Sequence, residues 1–177
     1  MSGALRAGAA GSYTLWVTVP VRYGDLDPQH HVNNVVYFTY LEQARLGYFD
    51  ALRHLARAAL AEPAEAQAPP ASARTLDVAP GPSDDRLELP LVISEAACAY
   101  RRPITSLAAL AVGVRAARIG RASLVLEYAI CAAAGEPPYA TGSTTVVCVD
   151  LASGRPRGLP GWTLAALRRL EPGLAVP

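Results

Sequence analysis

Between Tyr13 and Tyr23, the residues Leu15, Val17, Val19, Val21 and Tyr23 alternate with Trp16, Thr18, Pro20 and Arg22. That two-residue period predicts a strand with one buried face. Pro20 has no N–H to give to a ladder, so this part of the strand belongs at an edge or a bulge. From Asn34 onward the period changes. Tyr37, Leu41, Ala44, Tyr48, Ala51, Leu52 and Leu55 recur at helical spacing, and Asn33 is a suitable N-cap. A helix from Asn34 to Leu52 would be about 28 Å long at ~1.5 Å per residue.

Residues 61–86 are rich in Ala, Pro and acidic side chains and nearly devoid of large apolar ones, which predicts an insertion loop. Alternating strand-like runs then follow without a break: Leu87 to Arg101, Leu107 to Ile119, Arg121 to Ala133 and Tyr139 to Asp150. They are punctuated by Arg102-Pro103, Ile119-Gly120-Arg121 and Gly135-Glu136-Pro137-Pro138, residues that favour turns. Links this short predict antiparallel pairing of consecutive strands. Residues 155–177 read as a loop and a short closing helix marked by Leu164, Leu167 and Leu170, and residues 1–11 as a flexible tail. One strand, one long helix and four further strands cannot make parallel βαβ units. The pattern predicts an α+β domain spanning 1–177, a curved antiparallel sheet of about five strands wrapped around one helix.

At 177 residues the chain suits one domain with a sizeable core. Hydrophobic residues make up 51% of it, but no run approaches the ~18 apolar residues of a membrane span, and the N-terminus lacks a secretion signal, so a cytoplasmic protein is expected. With 16 basic against 15 acidic side chains and no long run of either sign, nothing suggests a nucleic-acid partner. Every basic residue is Arg, which removes lysine Schiff-base chemistry and a phosphate loop ending in Gly-Lys. Cys98, Cys131 and Cys148 are far apart and lie in strand-like runs, as small buried hydrophobes do; neither a disulfide nor a metal site is expected.

Candidate chemistry concentrates in Tyr23-Gly24-Asp25-Leu26-Asp27-Pro28-Gln29-His30-His31-Val32-Asn33-Asn34, between the first strand and the helix. A carboxylate there is carried to a helix N-terminus, whose first N–H groups lack intrahelical partners and favour negative charge. Such a pairing can attack a carbonyl carbon and stabilise the oxyanion that forms. An Asp in a turn also braces backbone N–H groups routinely, the role expected of Asp25.

The turn and the helix after it, Tyr23-x-Asp25-x-Asp27-x-x-x-His31-Val32-Asn33-Asn34-x-x-Tyr37-x-x-Tyr40-x-Glu42-x-x-Arg45, resemble the hotdog-fold acyl thioesterases of the 4-hydroxybenzoyl-CoA thioesterase-like group. Weaker similarity continues in Arg118-Ile119-Gly120-Arg121-Ala122-Ser123, in Val149-Asp150 and in Gly154-Arg155-Pro156. The resemblance implies hydrolysis of acyl-CoA or acyl-carrier-protein thioesters, with Asp27 as nucleophile or general base. It implies that His31 orients the acid, a water or the carbonyl. Asn33 would share that role or serve only as the cap. Asn34 and Tyr37 would meet the substrate, and Arg118, Arg121 and Ser123 the nucleotide end of coenzyme A, where the forked guanidinium suits phosphate. Most of the aromatic stripe Tyr37, Tyr40, Tyr48 and Phe49 is expected in the core. No cofactor or metal is implied beyond the coenzyme A of the substrate.

Three features depart from the family pattern. His30 stands where a Gly commonly precedes the His, Leu107 and Ala108 replace a Gly-Asp often found after the Pro corresponding to Pro103, and the Pro-rich insertion has no counterpart. Gly24-Asp25-Leu26-Asp27-Pro28-Gln29-His30 also resembles the turn of hotdog enoyl-CoA hydratases, where Asp25 and His30 would add water to a double bond, although Asp27 replaces the Asn of that motif. A hotdog protein that only binds acyl-CoA is a third reading, since fold alone does not establish activity. One helix cannot cover both faces of five strands, so a homodimer or a dimer of dimers is expected, with the sheets joined edge to edge or face to face.

Overall fold

The computed structural model describes residues 13–61, 74–75 and 87–176. The expected tail at 1–11 and most of the expected insertion at 61–86 lie outside the described residues. Strand β1 is Leu15–Val19, ending where Pro20 removes the next ladder donor. The chain then makes one 3₁₀ turn at Tyr23–Asp25 and enters helix α1, Val36–Ala61. This helix outlasts the apolar stripe that predicted it. Its last six residues, Ala56-Arg57-Ala58-Ala59-Leu60-Ala61, are strong helix formers and carry it to the edge of the Pro-rich stretch.

The remaining elements are β2 (Arg74–Thr75), β3 (Leu91–Tyr100), β4 (Leu110–Ile119), β5 (Ser123–Cys131), β6 (Ala140–Cys148) and helix α2 (Gly161–Leu170). They form one sheet in the order β2-β1-β4-β5-β6-β3. Five long strands are antiparallel, as the pattern predicts; the two-residue β2 adds a parallel pairing inside the segment read as a loop. The expected pairing of consecutive strands fails at one place. β3 does not form a hairpin with β4 but pairs with β6 at the far edge, while β4 pairs with β1. After α1 the chain first returns to the near edge as β2 beside β1, and it takes up the far edge as β3 only after Thr75. The nine-residue link from Arg101 to Ala109 then spans the three strand spacings back to β4, about 14 Å.

Helix α1 lies on the face formed by Leu15, Val19, Val112, Val114, Leu124, Leu126, Tyr128, Ile130 and Val146, with Tyr40, Tyr48 and Tyr128 fully buried between the layers. Two glycines set how close the layers come. A Cβ on Gly142 would stand 2.7 Å from Leu41 Cδ1, and one on Gly47 would stand 3.0 Å from Val17 Cγ2. Strand β3 is left largely open, with Val92, Ile93 and Tyr100 exposed. Cys131 and Cys148 are buried, Cys98 is half-buried, and all three are free.

Two buried carboxylates fasten the helix to the sheet. Glu171, just past α2, accepts the Tyr48 hydroxyl (2.9 Å) and the Ala116 N–H (2.8 Å) on Oε1 and the Thr14 hydroxyl (2.5 Å) on Oε2. Asp25, ahead of α1, accepts the Arg22 N–H (2.9 Å) and the Tyr40 hydroxyl (2.9 Å) on Oδ2, while Arg22 Nε (3.0 Å) and Nη2 (2.8 Å) meet Oδ1. Burial alone would raise the Asp25 carboxyl, but the side-chain and backbone bonds from Arg22, the Tyr40 hydroxyl and the Arg22 charge outweigh it and hold the group below its ordinary value of 3.8. Burial, reinforced by the bond to Asp25, keeps the Tyr40 phenol protonated far into the alkaline range. A carboxyl lowered by folding stabilises the fold fully above its unfolded value and loses that contribution as the pH falls through its folded value. Chemical denaturation at a series of pH values should show wild type losing stability more steeply below about pH 4 than Asp25→Asn, which lacks this titration. Equal slopes for the two proteins would contradict the assignment.

Candidate active site

The turn between β1 and α1 is built almost wholly from backbone bonds to acidic and amide groups. The Asp27 N–H donates to the His31 carbonyl (2.8 Å), and the His30 N–H donates to the Asp27 carbonyl (2.9 Å). Asp27 Oδ1 accepts the N–H groups of Gln29 (2.8 Å) and His31 (3.1 Å). Asp27 Oδ2 takes no bond from a described residue. One oxygen is therefore fixed by the turn, and the other is presented from a half-buried side chain.

The ends of the turn are pinned to three elements. The Asn33 N–H donates to the Asp25 carbonyl and the Val32 N–H to the Ile104 carbonyl, both at 2.9 Å. The Tyr100 hydroxyl donates to the Asn34 carbonyl at 2.9 Å. Asn33 caps the helix: its Oδ1 accepts the Val35 N–H at 3.1 Å and its carbonyl accepts the Val36 N–H at 2.9 Å. The cap occupies one of the donors that open a helix. The Asn34 N–H finds no acceptor among the described residues.

His30 adopts φ 58°, the left-handed region that costs a side-chain-bearing residue about 1 kcal/mol and costs Gly nothing. This accounts for the Gly that the resembling family carries there. The exposed His30 side chain and the fully engaged Asp25 carboxylate are poorly suited to act together on a double bond.

Asp27, His31, Asn33 and Asn34 thus share one closed turn. Tyr37, one helical turn on, is buried with its ring 5.0 Å from that of Tyr100 and 6.3 Å from that of Tyr40. Burial, partly offset by a bond to the Ile104 backbone, raises the Tyr37 phenol above its ordinary value. Arg118, Arg121 and Ser123 are elsewhere. The turn follows Val19, which pairs with Leu110 at the start of β4, whereas Arg118 to Ser123 form the β4–β5 hairpin at the other end. At about 3.4 Å per residue, β4 separates the two groups by roughly 30 Å within one chain.

No local sequence pattern marks Tyr100 or Ile104 as part of the site. Their part in holding the turn depends on β3 lying at the far edge and returning beneath it, which no local pattern records. Cys98, on the same strand, is a thiol that burial, opposed by a bond to Tyr100, pushes up to about 11. Among the described residues no cluster of three His, Cys, Asp or Glu is arranged to hold a metal ion. No described helix is long and apolar enough to cross a membrane.

The fold is shared with known proteins. A thioesterase from Thermus thermophilus, whose crystal structure contains coenzyme A and zinc, is 31% identical with a TM-score of 0.64 over 90% of this chain and 96% of that one. The PA5185 protein from Pseudomonas aeruginosa strain PAO1 shares the fold with a TM-score of 0.67, 23% identity and coverage of 94% and 97%. The uncharacterized protein YsmA of Bacillus subtilis is 26% identical over 144 residues, 81% of this chain and 78% of its own. The helix-wrapped sheet is the hotdog fold. The model of the thioesterase-like superfamily matches residues 21–167, taking in the turn, the long helix and every long strand but β1, and the chain belongs to that superfamily.

Proposed function

We propose that this protein hydrolyses acyl-CoA or acyl-carrier-protein thioesters at the turn before α1, with Asp27 as the reacting carboxylate. One observation carries the proposal. Asp27 is held through Oδ1 while Oδ2 takes no bond from a described residue, in a turn that leads straight into the helix N-terminus. A thioester carbonyl placed there would meet the Asn34 N–H and the positive end of the helix, and its oxygen would be stabilised as charge develops. Oδ2 would either attack the carbonyl carbon, expelling the thiolate and leaving an anhydride that water cleaves, or take a proton from a water that attacks directly. Both routes end in a carboxylic acid and a free thiol. His31, bonded through its backbone to Asp27, has its imidazole available to orient water or the carbonyl.

The placement of the arginines argues for a second copy. β3 has an open edge with exposed Val92, Ile93 and Tyr100. Two copies paired antiparallel along β3 would set the β4–β5 hairpin end of one against the Asp27 end of the other. Arg118, Arg121 and Ser123 of the partner would then meet the phosphates of coenzyme A; the Thermus relative is a thioesterase complexed with coenzyme A.

Free-thiol release from short, medium, long and aromatic acyl-CoAs should fall by about 10²- to 10⁴-fold in Asp27→Asn, with folding and thioester binding retained, because Asn keeps the acceptor used by Gln29 and His31. Undiminished release by the variant would remove this mechanism. Light scattering at micromolar protein should give a dimer or larger assembly, and a monomer would remove the shared-site arrangement.

A further inference from the structure

We propose that Tyr40 and Arg22, acting through the Asp25 carboxylate, are positioning residues that hold the Asp27 turn in register with the N-terminus of α1. This rests on the assignment of Asp27 made above and concerns what fixes its geometry. The reacting carboxylate and the stabilising N–H groups belong to different pieces of backbone, the turn and the helix. Their relative placement must be held to a fraction of an ångström, since small displacements of reacting groups cost orders of magnitude in rate.

Asp25 is the point where those pieces meet. Its side chain is 3% exposed and reaches Tyr40, in the second turn of α1, through Oδ2. The same carboxylate gathers Arg22 by its backbone N–H and by its guanidinium, fixing the chain as it leaves β1. The Asp25 carbonyl closes the turn by accepting the Asn33 N–H, two residues after Asp27's partner His31. The bracket thus touches the entrance of the turn, its exit and the helix, and makes no bond to the Asp27 side chain. The side chains are constrained in turn. Tyr40 is fully buried, so its hydroxyl cannot wander to water, and the ring of Tyr37 packs against it. Arg22 is mostly exposed and supplies the charge that the buried carboxylate requires.

Tyr40→Phe removes one hydroxyl and preserves the packing. Measured well below its melting temperature, it should show kcat for acyl-CoA hydrolysis reduced about 10- to 100-fold with KM within about twofold of wild type. Arg22→Gln should show a loss of the same kind. A role confined to stability would lower the melting temperature and leave kcat of the folded protein unchanged, and that result would overturn the proposal. A double-mutant cycle gives the sharper discrimination. If Tyr40 acts through Asp27, then Asp27→Asn/Tyr40→Phe should be no slower than Asp27→Asn alone; a further fall of about 10-fold would overturn the proposal. Failure of Asp27→Asn itself to slow hydrolysis would instead strike the assignment on which the bracket depends, so the two failures are distinguishable.

Discussion

The buried carboxylate of Asp25 is the constraint on which the rest depends. An uncompensated charge in this position would cost several kcal/mol, and the fold satisfies it with donors drawn from separate elements. Each donor comes from a place the site needs fixed: the exit of β1, the guanidinium beside it, and the second turn of α1. Because an unpaired buried carboxylate is unfavourable, burying Asp25 favours bringing Arg22 and Tyr40 together around it. Asp27, two residues on, is left with the opposite character. It braces the turn with one oxygen and presents the other. Two carboxylates two residues apart in sequence thus stand in different environments, one engaged through both oxygens and the other through one.

The middle of the helix is fastened by the same kind of contact. Glu171 receives Tyr48 from α1, Thr14 from the chain just ahead of β1 and the Ala116 N–H from β4. Between the two anchors the layers come together where Gly47 and Gly142 carry no side chain in the way. The space between helix and sheet is filled by Tyr40, Tyr48, Tyr128 and aliphatic side chains. Exposed apolar residues run along β3 from Val92 and Ile93 at one end to Tyr100 at the other, where Tyr100 reaches the Asn34 carbonyl beside the helix N-terminus. The proposed site therefore borders the surface that a second copy would cover.

Much of this was legible in the residues. The alternation from Leu15 and the helical stripe from Tyr37 marked two elements, and the spacing of Asp27, His31, Asn33 and Asn34 placed the candidate chemistry in one turn. The turn was readable because its bonds are local. What was hidden depends on distant pairing. Link lengths suggest that β3 and β4 form a hairpin, but β3 pairs with β6 at the far edge, and with it Tyr100 and Ile104 come under the turn. The same strand order sends Arg118 and Arg121 to the end of the sheet remote from Asp27, which a linear motif has no means of recording. The helix ran on to Ala61 because alanine-rich sequence continues a helix after the apolar stripe stops.

The most direct test is a crystal structure of the protein with a non-hydrolysable acyl-CoA analogue. The carbonyl oxygen should lie within about 3 Å of the N–H groups that open α1, with Asp27 Oδ2 facing the carbonyl carbon or a water beside it and the nucleotide near Arg118 and Arg121 of a second copy. An analogue bound with its carbonyl away from the Asp27 turn would contradict this.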